Sequence, residues 1–205
     1  MAISGKGISV LDAIDSLSGA STTDATITAS DKVFFQDVDD SDNVKTDTVQ
    51  GILDLAGGGG TIQQLVTSHK QGATSTSNNI PVDNTAPQSS EGTQYDTLAI
   101  TPSSDSSTLI ISFSANTSST VGSRVMVALF KDSDSSALAT ASVPVASQQG
   151  GQVNLRYEMT SGTTSEITFK IRWGANNGAS TIGGYDNGTG SFGGTTSALF
   201  MVMEV

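Results

Sequence analysis

The stretch NIPVDNTAPQSSEGTQYDTLAITP, residues 79–102, decides how this chain is read. Pro81 and Pro87 stand near its start, its middle is polar, and it ends on a short apolar run. Proline fixes φ and removes a backbone donor, so the segment is biased to extended backbone that cannot pair at those two positions. Glu91 and Gly92 permit a turn before TLAITP. Taken alone, such a segment is a linker, a binding loop or the leading edge of a folded domain. The strand pattern downstream of it favours the last, an ordered segment running along a β-sandwich.

From about residue 80 the apolar residues alternate with a period of two, the signature of strands. TLIISFSA sets Leu109, Ile111, Phe113 and Ala115 against Ile110, Ser112 and Ser114. RVMVALFK is apolar on both faces, Val125, Val127 and Leu129 against Met126, Ala128 and Phe130, as expected of a central strand. ALATASVPV holds Pro144 and reads as an edge or a strand end. VNLRYEM and EITFKIRW flank TSGTTS and read as a hairpin, with Ile167, Phe169, Ile171 and Trp173 on one side of the second strand. ALFMVMEV closes the chain, with Leu199, Met201, Met203 and Val205 alternating against Phe200, Val202 and Glu204. Seven or eight short strands predict an antiparallel, jelly-roll-like β-sandwich over residues 80–205. At about 1.5–3 kcal/mol per large apolar side chain buried, their inward residues suffice for one core.

Upstream lies a small α/β unit, residues 1–56. SVLDAIDSL has helical spacing at Val10, Leu11, Ile14 and Leu17, DKVFFQDV reads as a strand, and KTDTVQGILDLA as a helix capped by Thr46 or Asp47. The apolar face of that helix is Val49, Ile52, Leu53 and Ala56. Gly57, Gly58, Gly59 and Gly60 then stop it and form the expected hinge. Residues 57–79 are read as hinge and connector, with TIQQLVTSHKQGATSTS either a strand or a wrapping segment.

Composition excludes several functions. Twenty acidic against nine basic residues give a net charge of −11, opposed to tracking phosphates or meeting an anionic membrane. No cysteine is present, which rules out disulfides and thiol nucleophiles. No run approaches the length of a membrane span, and the first twenty residues lack the apolar core of a secretory leader. The single His69 has no nucleophile in a recognisable context and reads as a surface or interface residue. DVDDSDN, counted as a calcium loop from Asp37, has Asp42 where Gly is required and Thr48 where Glu is required, so a solvated turn is expected. GGGGT lacks the Lys-Ser/Thr of a phosphate loop. No catalytic, cofactor or metal residue is assigned, and the chain is expected not to be an enzyme.

WGANNGASTIGGYDNGTGSFGG, residues 173–194, mixes aromatics with Gly and Asn, a composition suited to sugar or protein contact. Its candidate contact residues are Trp173, Asn176, Asn177, Tyr185, Asn187 and Phe192; the alternative is a long connection whose aromatics cover the end of the sandwich. Arg124, Arg156 and Arg172 are expected on sheet faces or in subunit contacts.

The chain resembles bacteriophage tail-fibre-type virion proteins. SDKVFFQDVDDSDNVKTDTVQGILDLAGGGG resembles a fibre attachment unit. IPVDNTAPQSSEGTQ, LAITPSSDSSTLIISFSAN, VALFKDSDSSALA, YEMTSGTTSEITFKIRWG and FMVMEV resemble a C-terminal fibre head domain. The resemblance implies a homotrimer without enzymatic activity, located in the virion after assembly in the bacterial cytoplasm. It implies docking by the N-terminus to tail, baseplate or capsid proteins and a β-sandwich head for host-surface contact, with a host glycan or protein as a further partner. The same architecture fits a capsid decoration or cement protein. A trimer is expected to hide Met126, Ala128 and Phe130.

Overall fold

The computed structural model describes residues 30, 32–37, 43–49, 51–52, 62–184 and 192–205. The chain divides into two compact units, Met1–Thr61 and Ile62–Val205.

In the first unit β1 (Lys32–Asp37) pairs antiparallel with β2 (Asn43–Thr48), Lys32 opposite Thr48 and Asp37 opposite Asn43. The strand therefore runs through both residues expected to cap the helix. Thr48 is the cap: its Oγ1 accepts the Gly51 amide at 3.0 Å, while Asp47 Oδ1 accepts the Thr48 amide at 2.7 Å. Ladder pairing with β1 holds Thr46 and Asp47 extended and moves the helix start to Val49. The expected helix at 10–17, the acidic turn at 38–42, and Leu53, Ala56 and Gly57 to Gly60 lie outside the described residues.

The second unit holds β3 (Gln64–Gln71), β4 (Thr74–Thr76), β5 (Thr93–Ile100), β6 (Thr108–Ser119), β7 (Ser123–Lys131), β8 (Ala139–Val145), β9 (Gly150–Thr160), β10 (Ile167–Ala175), β11 (Ser180–Ile182) and β12 (Ser197–Glu204). One sheet runs β5-β10-β7-β8; the other runs β3-β12-β6-β11-β4, with β9 on β6. All these pairings are antiparallel, and the unit is a jelly-roll β-sandwich. The fold class is as the alternation predicts.

One open reading is decided and one expectation is corrected. Of strand and connector, residues 64–71 are the strand: β3 pairs along its whole length with β12, so the sandwich begins at Ile62 rather than at residue 80. β9 and β10 are not a hairpin. β9 pairs with β6 in one sheet and β10 with β5 and β7 in the other. The link between them crosses sheets, tied down where Ser161 and Gly162 donate backbone bonds to Ser107 and Asp105, with Gly162 at φ +69°.

The core forms where the inner faces meet. Leu109, Ile111 and Phe113 of β6 face Val125, Val127 and Leu129 of β7, joined by Ile167, Phe169, Ile171, Trp173, Phe200 and Val202. A β-bulge in β5 opposite Ile171/Arg172 breaks the strict alternation there. It brings Tyr95 edge-on to both Phe113 and Trp173, with ring centroids 5.7 and 5.6 Å apart.

The stretch containing Pro81 and Pro87 is an ordered strap over the outer face of the β5-β10-β7-β8 sheet. Ile80, 1 % exposed, packs with Met126, Ala128 and Phe130 in a second apolar cluster completed by Ala137. This overturns the expectation that neighbouring subunits cover those three residues: the protein's own chain does so. The Ile80 amide donates to Ala175 O at 3.1 Å and the Gly92 amide to Asn79 O at 2.9 Å. Farther along, the Ala137 amide donates to Pro87 O at 2.9 Å. Arg172 fixes the end of the strap from below, its Nε to Glu91 O at 2.7 Å and its Nη2 to Gly92 O at 2.9 Å. Gly92, at φ +60°, has no room for a side chain, because a Cβ would lie 2.6 Å from Trp173 O.

Candidate interaction surfaces

Of the residues proposed from composition, the structure describes Trp173, Asn176, Asn177 and Phe192, and the first is not on the surface. Trp173 is 1 % exposed and belongs to the core, so its reading as a surface contact is corrected. The alternation that places it beside Ile167, Phe169 and Ile171 already carries that signal; its position at the mouth of a Gly/Asn-rich loop obscures it. Asn176 is exposed, but its Oδ1 accepts the Arg124 amide at 2.7 Å and its own amide donates to Arg124 O at 3.0 Å, so it staples the end of β10 to β7. Asn177 is exposed. Phe192 is 74 % exposed and lies in a turn before β12, where its carbonyl accepts from Thr195. Tyr185 and Asn187 lie outside the described residues.

The outer face of the other sheet carries a surface that the sequence does not single out. Three cross-strand rows run over β3, β12, β6 and β9: Leu65–Met203–Ile110–Glu158, Thr67–Met201–Ser112–Arg156 and His69–Leu199–Ser114–Asn154. Leu65 is 54 % and Leu199 42 % exposed, while Met201, Met203 and Ile110 are half-buried. Directly opposed residues on one face stand close enough to touch, so these side chains make a continuous apolar strip. Exposed polar and charged groups flank it: His69 and Thr67 on β3, Arg156 and Glu158 on β9. The pointer in the sequence is β12, whose two faces are both apolar.

At one edge the sheets are clasped. Lys70 Nζ on β3 lies 3.0 Å from Asp96 Oδ1 on β5, donates to Tyr95 O at 2.7 Å and sits 5.0 Å from the Tyr95 ring centre. Burial, and then the Asp96 charge, push the Tyr95 hydroxyl up to about 12. Glu204, at the end of β12, is fully buried, and its Oε1 accepts from the Ser103 amide at 2.7 Å and the Ser103 hydroxyl at 2.5 Å. Burial alone would raise its carboxyl. Hydrogen bonds from the Ser103 and Ser107 hydroxyls and from the Ser103 and Ser104 amides outweigh that and hold it below the usual carboxylate range.

Two cavities flank the strap. A groove of about 400 Å³ runs between Pro81, Val82 and Pro87 of the strap and Arg124, Met126 and Leu138 of the sheet. A polar pocket of about 220 Å³ lies over Phe130 between Lys170, Arg172 and the turn at Asp132–Asp134. No group of three or more His, Cys, Asp or Glu is placed to hold a metal among the described residues.

Fold and surfaces together define the class: a jelly-roll β-sandwich with one face strapped by its own chain and the other bearing an open apolar strip. No protein-family model matches the sequence. No curated protein matches it either. Among solved structures, the chain is similar to Eiger TNF from S. frugiperda, with 9 % identity, 68 % of this chain and 92 % of that one covered, and a TM-score of 0.40. It is similar to murine APRIL, with 9 % identity, 69 % and 100 % coverage and a TM-score of 0.32. It is also similar to the enzymatically active domain of bacteriophage CBA120 tailspike protein 4, with 13 % identity, 70 % and 19 % coverage and a TM-score of 0.24.

Proposed function

We propose that this chain is a non-enzymatic structural component of a phage virion, a short homotrimeric tail appendage. It docks by its N-terminal unit and presents the sandwich as a head for contact with the host surface. The observation that carries the reading is the open apolar strip of Leu65, Leu199, Met201, Met203 and Ile110. A monomer has no use for a contiguous exposed apolar strip rimmed by charge; a partner copy has. The strapped face needs no such cover, so the trimer closes through the β3-β12-β6-β9 sheet. Val33 and Ile52, both exposed, are apolar anchors available on the N-terminal unit for docking to tail, baseplate or capsid proteins.

Native mass spectrometry of the full chain tests the assembly: three copies of the 20.9 kDa chain are expected, and a monomer at micromolar concentration overturns it. Reconstruction of the whole particle tests the location. Density on the tail supports the appendage, density over capsid faces makes the chain a decoration protein instead, and absence from the particle overturns both.

A further inference from the structure

The polar pocket beside the strap has the composition of a ligand site rather than of a sheet surface. It is walled by Ser89, Gln94, Asp132, Asp134, Lys170 and Arg172, over a floor contributed by Phe130. Its groups are fixed. Arg172 is held by two strap carbonyls, and Lys170 Nζ donates to Asp132 O at 2.5 Å. Asp132 sits at φ 49°, a left-handed conformation uncommon outside glycine. It is kept there by bonds in both directions with Thr168: its amide donates to Thr168 O at 2.7 Å, and its Oδ1 accepts the Thr168 amide at 2.8 Å.

Hydrogen-bonding capacity is left over inside this frame. Arg172 uses two of its five N–H groups on the strap, and Lys170 uses one of three. Among the described residues, neither Lys170 nor Arg172 forms an ion pair, and neither does Asp132 or Asp134; the pair that exists is Lys70–Asp96. Two cations and two carboxylates cancel formally, so the pocket does not select for a charged ligand. It offers donors and acceptors side by side, with Phe130 beneath them only 2 % exposed. A sugar ring asks for that: each hydroxyl both donates and accepts. The volume is below the roughly 300–1,000 Å³ of pockets for drug-sized ligands and suits one ring.

We propose that this pocket binds a single neutral hexopyranose residue. That the residue belongs to a host-surface glycan rests on the proposed host-contact role; the site itself rests only on the pocket. A trimer would present three such pockets, so millimolar affinity for one ring is compatible with firm attachment to a surface.

The test is amide-resolved NMR titration of the full chain. The probes are the methyl glycosides of glucose, galactose, mannose and N-acetylglucosamine, taken to about 100 mM because a single ring commands only weak affinity. Glycerol is the control for a polyol without a ring. We expect saturable shifts at Gln94, Ser133, Asp134 and Lys170 with at least one glycoside and none with glycerol. Asp134→Ala and Gln94→Ala should each weaken binding by about tenfold or more. Both side chains are exposed, so the remaining amide spectrum should stay unchanged. The proposal is overturned if no glycoside gives saturable shifts there, if glycerol gives the same shifts, or if binding survives both substitutions. A silent titration beside intact attachment to host cells removes the pocket alone. A saturable titration beside failed attachment removes the host-contact role alone.

Discussion

The α-carbon of Gly174 faces the carbonyl of Asn78 so closely that a Cβ there would lie 2.5 Å from the oxygen. Strap and sheet meet at that point, one residue before the Ala175 carbonyl that holds the Ile80 amide. Gly174→Ala should push the strap outward and pull Ile80 from its place over Met126 and Phe130. A cost of about 1–3 kcal/mol is expected from such overpacking. Urea unfolding measures it, and limited proteolysis localises it. The wild-type chain should resist cleavage between residues 80 and 95, and the variant should be cut there first. Equal resistance in both would show that the strap is held independently of this contact.

Ile80 tests the same cover from the other side. Ile80→Ala removes a side chain that is 1 % exposed and leaves a hole above Met126, Ala128 and Phe130. Large-to-small changes at such sites cost about 2–5 kcal/mol. Val82→Ala, two residues on and 61 % exposed, should change stability by less than about 0.5 kcal/mol. The contrast between the two midpoints in one denaturant series is the measurement, and similar losses would contradict a specific plug.

The Lys70–Asp96–Tyr95 clasp predicts an alkaline limit. Tyr95 is a neutral acid whose folded value is raised to about 12, above its ordinary 10.0. Its contribution is therefore fully present below the unfolded value and is lost as pH rises through the folded one. Stability should fall between about pH 10 and 12. Ultraviolet titration of the phenol in Asp96→Asn should show a lower midpoint than wild type. It should not return fully to 10.0, because burial is the larger cause. A full return would mean that the Asp96 charge, and not burial, holds the phenol neutral.

Glu204 predicts the acidic limit. Its folded carboxyl is held low, so its contribution is present above the unfolded value and is lost as pH falls through the folded one. The denaturation midpoint of the wild-type chain should drop on acidification below about pH 4.5, where an ordinary glutamate begins to protonate. Glu204→Gln should lower the midpoint at neutral pH and flatten its dependence across that acid window. An unchanged slope in the variant would assign the acid limit to other carboxylates.

Much of this architecture is legible in alternation. Val125, Val127 and Leu129 against Met126, Ala128 and Phe130 mark a strand buried on both faces, and β7 is one. Alternation does not say what does the burying, so it suggests a neighbouring subunit where Ile80 supplies the cover. β3 is ambiguous in sequence because its outward residues are mostly polar and only Val66 joins the core margin. The path between β9 and β10 is not readable locally, because a short polar loop serves a hairpin and a crossing between sheets equally well; the long-range pairing with β6 decides it. Trp173 goes astray where residue type is weighed above the strand period. The polar pocket is hidden because Gln94, Asp132 and Lys170 meet only through pairing and turns that no local window contains.

The open strip yields the last prediction. Met203 stands opposite Leu65 on one side and Ile110 on the other, at the centre of the apolar row. In the proposed trimer this row is desolvated, and central apolar anchors carry most of the association energy. Met203→Lys should weaken assembly by about 2 kcal/mol or more, roughly thirtyfold in the dissociation constant. The side chain faces away from the sandwich core, so the circular dichroism of the monomer should match that of the wild type. Val202→Lys, one residue earlier and fully buried, should unfold the sandwich itself. Electrostatics adds a second handle. Each copy carries a net charge of −11, so raising the ionic strength should tighten an apolar interface by screening repulsion between copies. Sedimentation velocity at low and high salt reads both effects. A wild-type trimer that persists unchanged in Met203→Lys would move the interface off the β3-β12-β6-β9 face.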